Sequence, residues 1–369
     1  MLILKHLEFR DGFVYIGDSQ VCFRPFCMYL VLFNHILNKY SKEKIKKIFR
    51  NASIEDCNIW FKKIKAENFD RLDCKIISKF LEYINLLGFG DIKLRYIFKK
   101  KILFSQINSF ASKKFRKIYQ DKSNILVEEI LVAYLENFLK LYFDRYVKVN
   151  IFENKGEISY EADILEEEFS FKNKFKYQKK IESRTISNVL KHLIYKKLIY
   201  KNKGIIRMNS IYMINVPYLF YFKLIEQIYD DNFEIFFKNM GIANGKSQYS
   251  WFKPTKDYNY KEWILKTNEL FEISGFGKFI YHSEGDYLIY ANNFQYFYDF
   301  FDEKIVNSLK NRVTFETKSF YDHSINNLTR ENIENDKITF ENTNEKVILN
   351  NEQKKIYDKC NIDIILDKF

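Results

Sequence analysis

The chain has 369 residues, a length that suits two or three domains. Hydrophobic residues make up 47%, which excludes wholesale disorder, and only 11 Gly and 3 Pro exclude collagen-like and proline-rich classes. The net charge of +12 is carried by a composition rich in Lys, Asn, Ile, Phe and Tyr, the residues of AT-rich codons, so the total alone does not identify a nucleic-acid binder. No membrane span is expected: the longest apolar run, Phe26 to Phe33, is far short of the roughly 20 residues needed. Lys5, Glu8, Arg10 and Asp11 break any N-terminal signal pattern, and five scattered cysteines without a CxxC point to a reducing, cytoplasmic setting.

In chain order, Leu7–Ile16 is an extended run with Asp11-Gly12 at its centre, which predicts a hairpin. After Pro25, the residues Leu30, Phe33, Ile36 and Leu37 recur at helical spacing. A short basic helix is expected over Ser41–Arg50 and a longer one ending at Leu87. Ile76, Ile77, Phe80, Leu81, Ile84 and Leu87 form the apolar stripe of that longer helix. Gly88 stands where a left-handed cap belongs. Alternation follows, with Ile92, Leu94, Tyr96 and Phe98 on one face and Asp91, Lys93 and Arg95 on the other. A helix over Ile125–Phe143 and a strand over Val147–Phe152 come next. Near Leu198–Met208 a second hairpin turns at Asn202-Lys203-Gly204, and Pro217 opens another apolar helix-like run. The stretch from Asn326 to Asn351 has few apolar anchors and reads as loop or partial disorder, with a short ending near Ile362–Leu366.

The chain repeats itself. Gly88-Phe89-Gly90 recurs as Gly275-Phe276-Gly277, although the composition predicts only about 0.03 such triplets by chance. Phe49-Arg50-Asn51-Ala52-Ser53-Ile54 matches Phe237-Lys238-Asn239-Met240-Gly241-Ile242, and Pro25 matches Pro217. Phe152-Glu153-Asn154-Lys155 also resembles Phe315-Glu316-Thr317-Lys318. That last match implies that the second copy has lost the helix equivalent to Ile125–Phe143. The fold class is therefore α+β: two duplicated domains, each a helical cluster on a small antiparallel sheet, joined by a basic segment. The expected boundaries are 1–168 for the first domain, 169–196 for the basic segment, 197–325 for a shortened second domain and 326–369 for the polar tail.

The order of features resembles the 4-vinyl reductase domain, a small-molecule-binding fold shared with the TRAPP vesicle-tethering subunits. The strand pair before Pro25, the Phe49–Ile54 helix end, the Gly88-Phe89-Gly90 turn and the Asn108-Ser109-Phe110-Ala111 segment carry the likeness in the first copy. In the second copy it rests on Gly241-Ile242-Ala243-Asn244-Gly245, similar to a paired-glycine helix end, and on Asn292-Asn293-Phe294. The resemblance implies an apolar or aromatic small-molecule ligand and the pairing of two such domains, here as an intramolecular pseudo-dimer or a homodimer. The cysteines that such domains often carry near their last strands are missing from Glu153–Ala162, which removes the basis for a metal or thiol switch.

Phe26, Cys27, Phe89 and Phe276 are the candidate pocket residues. Gly88, Gly90, Gly275 and Gly277 are structural turns, because strands follow them and a phosphate cradle needs a helix N-terminus. No metal and no cofactor is expected: His6, His35, His192, His282 and His323 have no i,i+4 partner and no nearby cysteine. No GxSxG, HExxH or Walker pattern occurs, so no catalytic residue is assigned. Between Lys172 and Arg207 there are twelve Lys or Arg against one acid, Glu182. Lys172, Lys174, Lys176, Lys179, Lys180, Arg184, Lys191, Lys196, Lys197, Lys201 and Lys203 are the nucleic-acid candidates there, arranged like the helix and basic wing of a winged helix. A solvated basic linker is the plainer alternative. We read the chain as a non-enzymatic, cytoplasmic regulator that senses a small hydrophobic molecule, with a transcriptional output through this segment. Two rivals stay open: an assembly protein whose paired domains are docking surfaces, and a nucleic-acid binder without a ligand.

Overall fold

The computed structural model describes residues 7–10, 13–16, 19–66, 74–107, 110–119, 128–154, 157–172, 199–202, 205–208, 211–252, 267, 278–282, 287–291, 295–325, 328–334, 337–342 and 349–366. Two prolines set its plan. Pro25 and Pro217 each close a strand and open a helix, where a missing N–H costs nothing because the first turn has no intrahelical acceptor for it. In the first unit β1 (Leu7–Arg10), β2 (Phe13–Ile16) and β3 (Ser19–Pro25) lead into α1 (Phe26–Lys39). Then follow α2 (Lys42–Ala66), α3 (Cys74–Leu86), β4 (Asp91–Phe98), β5 (Lys101–Ile107), α4 (Phe110–Tyr119), α5 (Glu129–Phe143), β6 (Arg145–Asn154) and β7 (Glu157–Glu168).

Over its described residues, which include no counterpart of α3, the second unit repeats that order. It runs β8 (Ile199–Asn202), β9 (Ile205–Met208), β10 (Ile211–Pro217), α6 (Tyr218–Ile228), α7 (Asp231–Phe252), β11 (Lys278–His282), β12 (Tyr287–Ala291), α8 (Gln295–Tyr298), α9 (Glu303–Ile325), β13 (Leu328–Glu334) and β14 (Lys337–Asn342). A last helix, α10 (Asn351–Leu366), ends the chain. Each unit has its own four-stranded antiparallel sheet with the same strand order, β4-β5-β7-β6 in one and β11-β12-β14-β13 in the other. The protein is thus an α+β fold of two packed units.

The units join through a third sheet of order β1-β2-β3-β10-β9-β8. At its centre β3 and β10 pair antiparallel, with Phe23 opposite Asn215, Pro25 opposite Met213 and Val21 opposite Pro217. With Pro25 equivalent to Pro217, Phe23 and Asn215 are equivalent residues facing each other, so a pseudo-twofold axis passes through that pair. The helices obey the same symmetry by crossing over. Phe33 and Phe49 stack at 5.4 Å and Phe49 meets Phe220 of α6. In the opposite sense, His35 of α1 stacks on Phe236 of α7 at 3.9 Å between ring centres. Helix α10 ties both units: Gln353 donates to Asn239 of α7 at 3.0 Å, and Lys359 donates to the Ile118 carbonyl of α4 at 3.2 Å.

Four sequence expectations change. The Phe49–Ile54 segment and its counterpart are helix interior rather than helix ends, because α2 and α7 run through them. Phe315–Lys318 lies inside α9, which occupies the place of α5, so the second unit keeps the helix it was expected to have lost. The stretch after Asn326 supplies the hairpin β13–β14 and the helix α10 instead of a loop. Finally, the β4 alternation breaks at a register shift between Leu94 and Tyr96, leaving Tyr96 48% and Phe98 63% exposed.

Gly241 and Gly245 explain why α7 continues through its glycines. A Cβ at Gly241 would stand 2.5 Å from the Arg312 carbonyl oxygen, and one at Gly245 only 2.0 Å from that of Glu316. The backbone of α9 is pressed against both positions, so glycine is required by packing although it lowers helix propensity. Gly245→Ala is expected to destabilise the protein by about 3 kcal/mol or more through overpacking. Urea denaturation of the full chain measures it, with Ser250→Ala as the control that should lie within about 0.5 kcal/mol of wild type.

Candidate functional site

The interior beneath the first Gly-Phe-Gly turn gathers most of the candidate pocket residues. Helix α3 ends at Leu86, and the chain turns through Gly88 at φ +90° and Gly90 at φ +132°, a region that favours glycine. A side chain at Gly88 would also press on the Met213 carbonyl oxygen at 3.0 Å. Phe89 is thereby turned inward. Its ring meets Phe26 edge-on at 6.0 Å and Tyr29 edge-on at 5.4 Å, and Tyr29 continues to Phe33 at 5.9 Å. Phe33 in turn meets Phe115 of α4 at 5.9 Å. Phe26, Tyr29, Phe33, Phe89 and Phe115 are all buried. Cys27 is buried as well, and with Cys360 it lies close enough to Tyr119 to raise that hydroxyl's pKa beyond what burial does.

Polar groups close one side of this aromatic set. Gln106 of β5 donates to the Phe89 carbonyl at 2.9 Å and accepts from the Tyr160 hydroxyl at 2.6 Å. Glu128, just ahead of α5, accepts from the Ser112 hydroxyl at 2.8 Å and from Tyr160 at 3.3 Å. Burial pushes the Glu128 pKa up, partly offset by those hydrogen bonds. The nearby Tyr29 hydroxyl is raised by burial and by the Glu128 charge, and it has no hydrogen-bond partner among the described residues. A buried, unpaired hydroxyl costs about 1–3 kcal/mol. Sequence reasoning missed Tyr29, Gln106, Ser112, Glu128 and Tyr160. Phe26, Cys27 and Phe89 bring no polar signal, and these partners are spread over five elements.

Each unit also buries a further carboxylate, on non-equivalent helices. In the first, Asp56 of α2 accepts from Ser19, from Tyr83 and, at 3.0 Å, from Tyr134. Burial raises its pKa against those three donors. In the second, Glu316 of α9 receives both Arg24 guanidinium nitrogens at 2.6 Å, with Arg312 at 2.6 Å and Gln248 adding to it. Burial alone would raise the Glu316 pKa, but the Arg24 and Arg312 guanidiniums hold it below the usual range.

Other sequence candidates fall elsewhere. Lys172 is exposed at the end of the first unit, and Lys201 belongs to β8. Lys174, Lys176, Lys179, Lys180, Arg184, Lys191, Lys196, Lys197 and Lys203 lie outside the described residues, as do Gly275, Phe276 and Gly277. Among the described residues no group of three or more His, Cys, Asp or Glu could hold a metal ion, and no helix is long and apolar enough to cross a membrane.

No family model matches this sequence, those of the 4-vinyl reductase and tethering-subunit families included. No curated protein matches it either. Among solved structures, the chain is similar to the phenol-responsive sensory domain of the transcription activator PoxR, determined with phenol, at a TM-score of 0.38 and 8% identity. That likeness covers 44% of this chain and 87% of the other.

The buried carboxylates give opposite pH responses. Glu316, depressed in the fold, contributes stability that is fully present above the unfolded value of about 4.3 and is lost as the pH falls through its lower folded value. Asp56 and Glu128, raised in the fold, favour it below that unfolded value and cease to do so as the pH rises through their folded values. Glu316→Gln leaves two buried guanidiniums uncompensated and is expected to cost about 3–5 kcal/mol near neutrality. Denaturation midpoints at about pH 7 and pH 3 check it: the gap between wild type and variant should narrow at the lower pH.

Proposed function

We propose that the first unit binds a small aromatic molecule bearing a hydroxyl group and that the protein is a non-enzymatic regulator of the 4-vinyl reductase kind. The observation that supports this most is the unpaired Tyr29 hydroxyl, set among Phe26, Phe33 and Phe89 and beside the Glu128 carboxyl. Aromatic walls with a few convergent polar groups are the usual make-up of a small-ligand site. A ligand ring entering between Phe26, Tyr29 and Phe89 would offer its hydroxyl to Tyr29 and Glu128, replacing an unmet hydrogen bond with a made one. Binding to the folded state alone would raise the melting temperature with ligand concentration.

A transcriptional output through Lys172–Arg207 belongs to the same proposal, supported by the charge of that stretch. Reversing Lys179, Lys180 and Arg184 to Glu is expected to weaken duplex binding and reduce its salt slope; equal binding by the variant would end that part of the reading. The assembly-protein rival draws on a separate observation. Edge strand β4 exposes Tyr96, Ile97 and Phe98, and an open apolar edge is a surface on which another chain can pair.

Native mass spectrometry of the purified chain, followed by thermal shifts with phenol, cresols and toluene, tests the ligand. Phenols are expected to stabilise the protein and toluene to do so at least tenfold less potently. Tyr29→Phe should erase that preference while keeping the fold, since it removes one oxygen. No shift with any phenol, and a clean apo mass, would sink the ligand reading.

A further inference from the structure

A second site lies on the outside of the first unit. Between the start of α2 and the middle of α5 is an open depression of about 550 Å³, whose lining includes Lys46, Lys47, Arg50, Lys140, Phe169 and Phe171. Its volume suits a small ligand. Deep in it, Arg50 is committed: it grips Glu136 through two nitrogens and stands 3.5 Å from Glu129. The lysines are held loosely by comparison. Lys46 is 3.6 Å from Glu129 and Lys140 is 3.9 Å from Glu136, both near the outer limit of an ion pair. Lys47 has no ion-pair partner among the described residues and is exposed. Four bases against Glu43, Glu129 and Glu136 leave the depression positive.

Burial lowers the Lys140 pKa, so its charge sits in a medium where an anion would be held more strongly than in water. Part of the lining is apolar: Phe169 and Phe171 are partly buried, and Lys140 lies 6.0 Å from the Phe169 ring centre. Cationic and aromatic side chains lining one depression match a ligand that carries a phosphate at one end and a flat ring at the other.

We propose that this depression binds a mononucleotide, its phosphate between Lys46, Lys47 and Lys140 and its base against Phe169 and Phe171. Three lysines favour the dianionic phosphate over a single carboxylate. The placement gives binding a route to the rest of the chain. Asn51 on the rim donates to Gln227 of α6 at 3.1 Å, across the boundary between the units. Phe171 directly precedes Lys172, the first residue of the basic stretch in the sequence.

Isothermal titration of the full chain with AMP, GMP, adenosine, inorganic phosphate and a short single-stranded oligonucleotide tests it. AMP or GMP is expected to bind, with adenosine and phosphate each at least tenfold weaker and the affinity falling as salt rises. Lys47→Glu should weaken the nucleotide at least tenfold. Phe171→Ala should do the same while leaving inorganic phosphate unchanged, a split that loss of folding cannot produce. Tyr29→Phe should change nothing here, which separates this site from the aromatic interior. The proposal is overturned if no nucleotide binds, if Lys47→Glu and Phe171→Ala bind like wild type, or if only the oligonucleotide binds.

Discussion

The pairing of β3 with β10 is the constraint on which the architecture rests. Its register places Phe23 against Asn215, and everything related by the pseudo-twofold axis follows from that choice. Both strands are covered on two faces, so the junction is a central seam of the core rather than a contact between finished surfaces. The seam also forces charge into the interior. Arg24 lies on β3 and is buried, and both its terminal nitrogens donate to Glu316, 292 residues away on α9 of the other unit. Separating the units would take Glu316 away from the buried Arg24 guanidinium, while Arg312 and Glu316 would stay paired within α9, so the charge cost of separation falls on Arg24.

The two units have kept a common scaffold and changed its lining. Where Cys57 of α2 touches the Tyr134 carbonyl at 3.5 Å, Gly245 of α7 leaves no room for a side chain, since a Cβ there would stand 2.0 Å from the Glu316 carbonyl oxygen. Asp56 with its three hydroxyl donors stands where the second unit has Asn244, 188 positions on. The second unit thus closes α7 on α9 through glycines and fills the gap with a charge network. The first unit separates the corresponding helices with larger residues and sets Asp56 among three hydroxyls, while Arg50, paired with Glu136, lines the outer depression. An interior of hydroxyls and rings is one a neutral aromatic guest can enter at low desolvation cost; an interior of salt bridges is not. Ligand capacity is therefore expected on one side of the axis only, with the other side serving as its brace.

Much of this order was legible in the sequence, and what escaped did so for physical reasons. Asp11-Gly12 and Pro25 announce their hairpin and helix because turn chemistry is local. Strands β3 and β10 were invisible: every residue of Ile211–Pro217 is buried, so no alternation marks it, and it blends into the apolar helix that follows. Gly241 and Gly245 imitate a helix end because propensity is local, whereas the close approach of α9 that requires them is not. The Phe315–Lys318 match failed likewise, since four residues of similar type carry no information on whether they sit in a strand or in α9. At the candidate site the rings were readable from Phe26 and Phe89. Glu128 and Tyr29 were not, because neither is unusual until tertiary structure removes water from both.

The Gly-Phe-Gly turn makes the aromatic interior and the seam one continuous object. Asn215, the residue on the axis, donates from its backbone to the Leu87 carbonyl at 3.0 Å and from its side chain to the Leu86 carbonyl at 2.7 Å. Gly88 rests on the Met213 carbonyl of the same strand, and the next residue, Phe89, is the ring that faces Phe26 and Tyr29. Three consecutive residues are thus held to β10 on one side while the fourth borders the site, with Gln106 fixing the Phe89 carbonyl from below. A guest that displaces the Phe89 ring must either move the turn or strain it, and moving the turn acts directly on the strand that joins the units. A physical connection of this kind is what coupling between a site and an interface requires, because each hydrogen bond in it is made or broken rather than continuously deformed.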